Sequence, residues 1–116
     1  MNIKLDKSYE VKTTLGTVRD IENIFNKSFF DVISGITAMK IEEQIKLLYI
    51  GVKRANDITE EAFAELCDNY VGIGDLMEYL EQYIFAMQFS GLSEQEVQEK
   101  LGKKLQRNSQ LQTQPR

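Results

Sequence analysis

Residues 73–91 read Ile-Gly-Asp-Leu-Met-Glu-Tyr-Leu-Glu-Gln-Tyr-Ile-Phe-Ala-Met-Gln-Phe-Ser-Gly, with the periodicity of one long amphipathic helix. On a helical wheel Leu76, Leu80, Tyr83, Ile84 and Met87 share a face, edged by Met77, Tyr79 and Ala86. This apolar arc covers about half the helix and belongs in a core. Gly91 stands where a left-handed cap would end the helix. Phe85 and Phe89, one turn apart, fall on the opposite side among Glu78, Glu81 and Gln82. A monomeric surface helix gains nothing from two phenylalanines there. They are therefore candidate contacts for a partner or a second subunit.

Upstream, Gly72 and Gly74 separate this helix from a segment that opens at Ile58-Thr59. Thr59 suits the N-cap, Glu60 and Glu61 suit the first turn, and Ile58 is placed to staple onto Phe63. The core face of that helix is Phe63, Leu66, Cys67 and Tyr70. Asn56-Asp57 ends the helix before it, which runs from a cap at Thr37 to about Ala55 and sets Ile41, Ile45, Leu48, Tyr49 and Val52 inward. A second apolar patch lies on its far side, where Leu47 and Ile50 sit near Met39 among Glu43, Lys46 and Arg54. Such a patch is either wrapped by the domain or is an interface. Met39, Leu47 and Ile50 thus join Phe85 and Phe89 as candidate partner or self-association residues.

Toward the N-terminus, Ser28 with Asp31 opens a short helix through Phe29, Phe30, Val32 and Ile33, closed by Ser34-Gly35. Residues 14–25 form the first helix, with Val18, Ile21, Ile24 and Phe25 on one face. Residues 2–5 and 8–13 alternate about Asp6-Lys7, with Ile3 and Leu5, then Tyr9, Val11 and Thr13, on one side, and predict a β-hairpin. A lone hairpin is marginal in water, so its apolar face must lie on a helix or on another subunit. Downstream, Leu92-Ser93-Glu94-Gln95-Glu96-Val97 carries a capping box and a staple for a helix reaching Leu101. From Gly102 the composition turns to Lys, Gln, Asn and Ser, with the single proline at Pro115, and predicts a disordered tail. The expected fold is α+β and predominantly helical: an N-terminal hairpin, five or six helices in one domain over 1–101, and a polar, basic tail over 102–116.

At 116 residues, 42% of them hydrophobic, the chain has material for one modest core. Residues 1–101 hold 18 acids against 10 bases, an acidic body that argues against nucleic acid as a partner. The tail's Lys103, Lys104, Arg107 and Arg116 are too sparse to change that. No apolar run reaches the roughly 18 residues of a membrane span, and no signal peptide opens the chain. A single cysteine and the missing leader point to a reducing cytoplasm.

The residues for catalysis are missing. Without histidine the chain lacks the commonest general base and metal ligand. Cys67 lies on an apolar face with nothing to activate it, so it reads as core. Glu42-Glu43 and Glu60-Glu61 are adjacent residues that point apart, which suits a solvated surface more than a converging acid–base pair. Gly72-Ile73-Gly74-Asp75 lacks the third glycine of a dinucleotide loop, and Asp75 would repel phosphate, so it reads as a tight turn. Asp57 to Glu65 lacks the alternating ligands and central glycine of a calcium loop. The expectation is a protein with no enzymatic activity, no catalytic residue, no metal and no cofactor.

The order of features resembles a known family. Asn2-Ile-Lys-Leu-Asp-Lys-Ser-Tyr-Glu-Val-Lys-Thr-Thr-Leu-Gly-Thr-Val-Arg-Asp-Ile-Glu22, then short amphipathic helices, Ile58-Thr-Glu-Glu61 and Leu92-Ser-Glu-Gln-Glu96, is similar over about residues 2–101 to the tail assembly chaperones of tailed bacteriophages and prophages. Asp6-Lys7 lacks the glycine often found at the family's hairpin turn, which leaves the turn type open. The resemblance implies a protein of the host bacterial cytoplasm that self-associates, coats the tape measure protein against aggregation, and is absent from the mature virion. It also implies a longer, frameshifted form that recruits tail tube protein, for which Gly102-Lys103-Lys104 is a compatible slippage point. Two other classes fit the residues: a small acidic inhibitor or regulator docking on one host protein, and a structural component of the tail.

Overall fold

The computed structural model describes residues 1–89 and Glu99. Two short antiparallel strands, β1 (Asn2–Lys4) and β2 (Ser8–Glu10), open the chain and pair in the register Asn2–Glu10, Ile3–Tyr9, Lys4–Ser8. Among the described residues five α-helices of given range follow: α1 (Leu15–Phe25), α2 (Phe29–Ser34), α3 (Ile41–Lys53), α4 (Glu60–Tyr70) and α5 (Ile73–Gln88), with a 3₁₀ turn, Ile36–Ala38, before α3. The α+β, mostly helical expectation holds. The proposed Gly91 cap, the helix through Leu101, the boundary after residue 101 and the tail lie outside the described residues.

The hairpin works without a glycine because its connection, Leu5 to Lys7, needs no left-handed residue. Among the described non-glycine residues only Asn26 has a positive φ, 54°. Leu5 N–H donates to the Lys7 carbonyl (2.9 Å), and the Tyr9 hydroxyl donates to the Asp6 carboxylate (2.8 Å). Alternation then sends Ile3, Leu5, Tyr9 and Val11 to one buried side. That side lies on helices: Lys12 N–H donates to the Gly51 carbonyl of α3 (3.0 Å), and the Tyr79 hydroxyl of α5 is 3.4 Å from both the Lys4 N–H and the Lys4 carbonyl.

Helix starts follow local chemistry. Thr14, Ser28 and Thr59 cap α1, α2 and α4, each hydroxyl accepting from the backbone N–H three residues on. At Ser28 the carboxylate that completes the start comes from α1, where Glu22 accepts from Phe29 N–H (2.8 Å), instead of from Asp31. Asn26 in the left-handed region ends α1. Thr37 does not cap α3: it falls inside the 3₁₀ turn, which buries Ile36, so α3 begins at Ile41 behind Lys40. Lys40 supplies no side-chain cap, and Glu42 and Glu43 complement the helix dipole instead. At the far end α5 stops at Gln88, with Phe89 as its C-cap.

The core is one cluster centred on α3. Buried α3 residues Leu47, Leu48, Ile50 and Val52 meet Ile21 of α1, Phe63 and Cys67 of α4, Leu76, Leu80, Tyr83 and Met87 of α5, and the hairpin's inner side chains. Gly51 makes this possible, because a Cβ there would fall 2.7 Å from both Tyr83 Cε1 and Val11 Cγ1 and 2.8 Å from the Lys12 carbonyl. Among the described residues two polar ones are also buried. Thr17 donates to the Lys12 carbonyl (2.8 Å), and Gln44 donates to the Ile36 carbonyl (2.9 Å).

Candidate interaction surfaces

The five residues singled out by sequence fall into three places. Leu47 and Ile50 are only 1% and 4% exposed, which corrects their assignment to a far-side surface patch. The reason is that α3 is packed against α1, α4, α5 and the chain leaving the hairpin, so its second apolar face is core. The Leu47 carbonyl also accepts from the buried Tyr83 hydroxyl (3.0 Å). Met39 is half-buried and separate from that pair, lining a shallow hollow of about 250 Å³ with Phe25, Val32 and Ala38. Phe85 and Phe89 do come together outside the core face, with ring centroids 5.0 Å apart, Phe85 half-buried and Phe89 42% exposed.

Other apolar residues reach the surface where periodicity sends them inward. Ile24, Ile41 and Tyr70 are 50%, 42% and 54% exposed. In α1 the inward face turns toward Thr17 and Ile21, which carries Ile24 to the rim. Ile41 and Ile73 share a different cause: each is the first residue of its helix, with no preceding turn to cover it. An isoleucine directly after a helix cap is the signal that locates them.

Ile41 and Ile73 flank a groove between the start of α3, the end of α4 and the start of α5. Ile45, Cys67, Val71 and Leu76 complete its apolar lining, and Asp68 is its one charged residue. The volume, about 190 Å³, is below the roughly 300–1,000 Å³ of small-molecule pockets and suits a bulky side chain offered by another protein. Burial pushes the Cys67 thiol up to about 11, so at neutral pH it is a protonated, apolar part of the floor. The turn beside it holds no vacancy for an anion, since the Asp75 carboxylate itself accepts from Gly72 N–H (3.0 Å) at the α5 N-terminus.

A second groove, about 440 Å³, runs between α1 and α3 and reaches the first turn of α4. Ile24, Tyr49 and Ile50 give it an apolar floor; Lys46, Lys53, Arg54, Asp20, Asn23 and Glu60 surround them. Arg54 Nε donates to Asp20 (2.7 Å) and holds that carboxyl below its ordinary range. Burial raises the Tyr49 phenol, with Glu60 adding to the effect, and its hydroxyl donates to the Ile58 carbonyl (2.7 Å).

Among the described residues no group of three or more His, Cys, Asp or Glu side chains is placed to hold a metal ion, and no helix is long and apolar enough to cross a membrane. Comparison of the chain with protein-family models, with curated proteins and with solved structures finds no match to any of them.

Proposed function

We propose that this chain is a tail assembly chaperone of a tailed phage or prophage, which holds the tape measure protein in the host cytoplasm until tail tube subunits enclose it. The observation that carries the reading is the apolar groove between Ile41 and Ile73, on a surface where eight large hydrophobic side chains are exposed among the described residues. A groove of this size takes one client side chain at a time. Each contact is weak, and retention of a long helical client comes from many copies acting together through self-association. The family resemblance in the hairpin and first helix supplies the identity of the client.

The test is co-expression with a candidate tape measure protein, measuring its soluble fraction and its co-purification. The intact chain is expected to keep the tape measure protein soluble, and Ile41→Ser/Ile73→Ser to lose that capacity while keeping its far-UV spectrum and melting temperature. Both isoleucines are exposed, so little folding energy depends on them. A tape measure protein that aggregates equally with and without the intact chain refutes the reading and favours a dedicated inhibitor of a host protein.

A further inference from the structure

Charge is divided by helix in this protein. Residues 1–54 carry nine Lys and Arg against seven Asp and Glu, whereas residues 55–89 carry eight acids and no base. The second set forms α4 and α5 and their approaches. Every described cation therefore lies on the hairpin, α1, α2 or α3 or in the chain joining them.

Two surface stripes carry charges of opposite sign. On α3, Lys46, Tyr49, Ile50 and Lys53 occupy i, i+3, i+4 and i+7, and all four line the α1–α3 groove. With Arg54 engaged by Asp20, Lys46 and Lys53 are the groove's available cations; neither is ion-paired among the described residues, and Glu60 is the remaining acid. On α5, Glu78, Glu81, Gln82 and Phe85 occupy the same i, i+3, i+4, i+7 positions, outside the core face. Such sets are what two helices present to each other when they lie side by side. Each spans about 10 Å at 1.5 Å per residue.

We propose that the α1–α3 groove receives the α5 stripe of a second copy of this chain, with Phe85 over the Ile24–Tyr49–Ile50 floor, Glu81 beside one of the two lysines that flank it, and Glu78 just beyond. Two acidic bodies repel in most orientations, and this one sets opposite charges against each other. The two faces differ, so the contact is head to tail: every addition leaves one groove and one stripe open, and copies join in file. The inference rests on the self-association in the reading above and gives it a pair of faces.

The experiment is sedimentation velocity on the full chain without client, over a concentration series at low and high salt. The expected result is a mass that rises with concentration and falls with salt. Lys46→Glu/Lys53→Glu and Glu78→Lys/Glu81→Lys are each expected to weaken association by about tenfold or more, and their equimolar mixture to restore it, since each then offers the other a face of opposite sign. Lys46→Gln/Lys53→Gln, which adds no acid beside Glu60, serves if the reversed pair fails to fold. A wild type that stays monomeric throughout, charge variants that assemble as the wild type does, or a mixture that remains monomeric overturns the proposal. Because no client is present, loss of retention by Ile41→Ser/Ile73→Ser bears on the chaperone reading and leaves this result unaffected.

Discussion

Gly51 is the position at which the chain leaving the hairpin and α5 both come within contact distance of one backbone. Its missing side chain admits Val11, the Lys12 carbonyl and the Tyr83 ring, and its own carbonyl accepts from Lys12 N–H. Alanine there favours the helix by up to about 1 kcal/mol, but the space is already filled. Overpacking costs about 1–3 kcal/mol, and one of the obstructing atoms is backbone, which cannot rotate away. Gly51→Ala is therefore expected to lower the urea midpoint, read by circular dichroism. Tyr83 gives a different signature. Burial raises its phenol above the ordinary value, so the folded state favours the neutral form. That contribution is complete below the ordinary tyrosine pKa of about 10 and is lost as pH rises beyond it. Tyr83→Phe is expected to cost about 0.5–1.5 kcal/mol at neutral pH, through the lost bond to the Leu47 carbonyl. The same variant should also flatten the alkaline decline in stability. The flattening is partial, because the Cys67 thiol, raised to about 11, adds its own loss in the same direction.

At the scale of the element, α3 separates the two outcomes that its sequence allowed. Its pattern is amphipathic only if helices have one partner. Here it has neighbours on nearly every side, and Leu47 and Ile50 become core beside Leu48 and Val52. Leu47→Ala is accordingly expected to destabilise by about 2–5 kcal/mol in denaturant titration, the range for a deleted core leucine, whereas a surface leucine would cost a fraction of that. What could be read from the sequence was whatever local chemistry decides: the hairpin's alternation, the caps at Ser28 and Thr59, the inward face of α5 from Leu76 to Met87. What could not be read depended on the third dimension. Thr37 has the side chain of a cap, but burial of Ile36 draws it into a 3₁₀ turn. Ile24 and Tyr70 have the right period yet are 50% and 54% exposed, Ile24 because the inward face of α1 turns toward Thr17 and Ile21. The surface was partly legible in the same way, since the Phe85–Phe89 stripe is outside the core face as the wheel places it, while the Ile41–Ile73 groove needs three helix ends brought together.

For the molecule as a whole, the placement of the hairpin matters beyond stability. Its apolar side chains Ile3, Leu5, Tyr9 and Val11 are synthesised well before α3 and α5, which carry the surfaces that bury them. The bond between Tyr79 and the Lys4 backbone joins residues 75 apart. At ribosomal speeds of about 5–20 residues per second, the hairpin waits roughly 4–15 s for that partner, plus the time α5 needs to clear the exit tunnel. During that interval the nascent chain displays a short apolar strand pair, the kind of segment that cellular chaperones and proteases recognise. Messages truncated before α5 therefore yield fragments whose hairpin has α3 but lacks the α5 part of its cover, and these are expected to be degraded faster than the intact chain. Proteolytic clearance of that kind would act as a quality check that favours copies translated through α5.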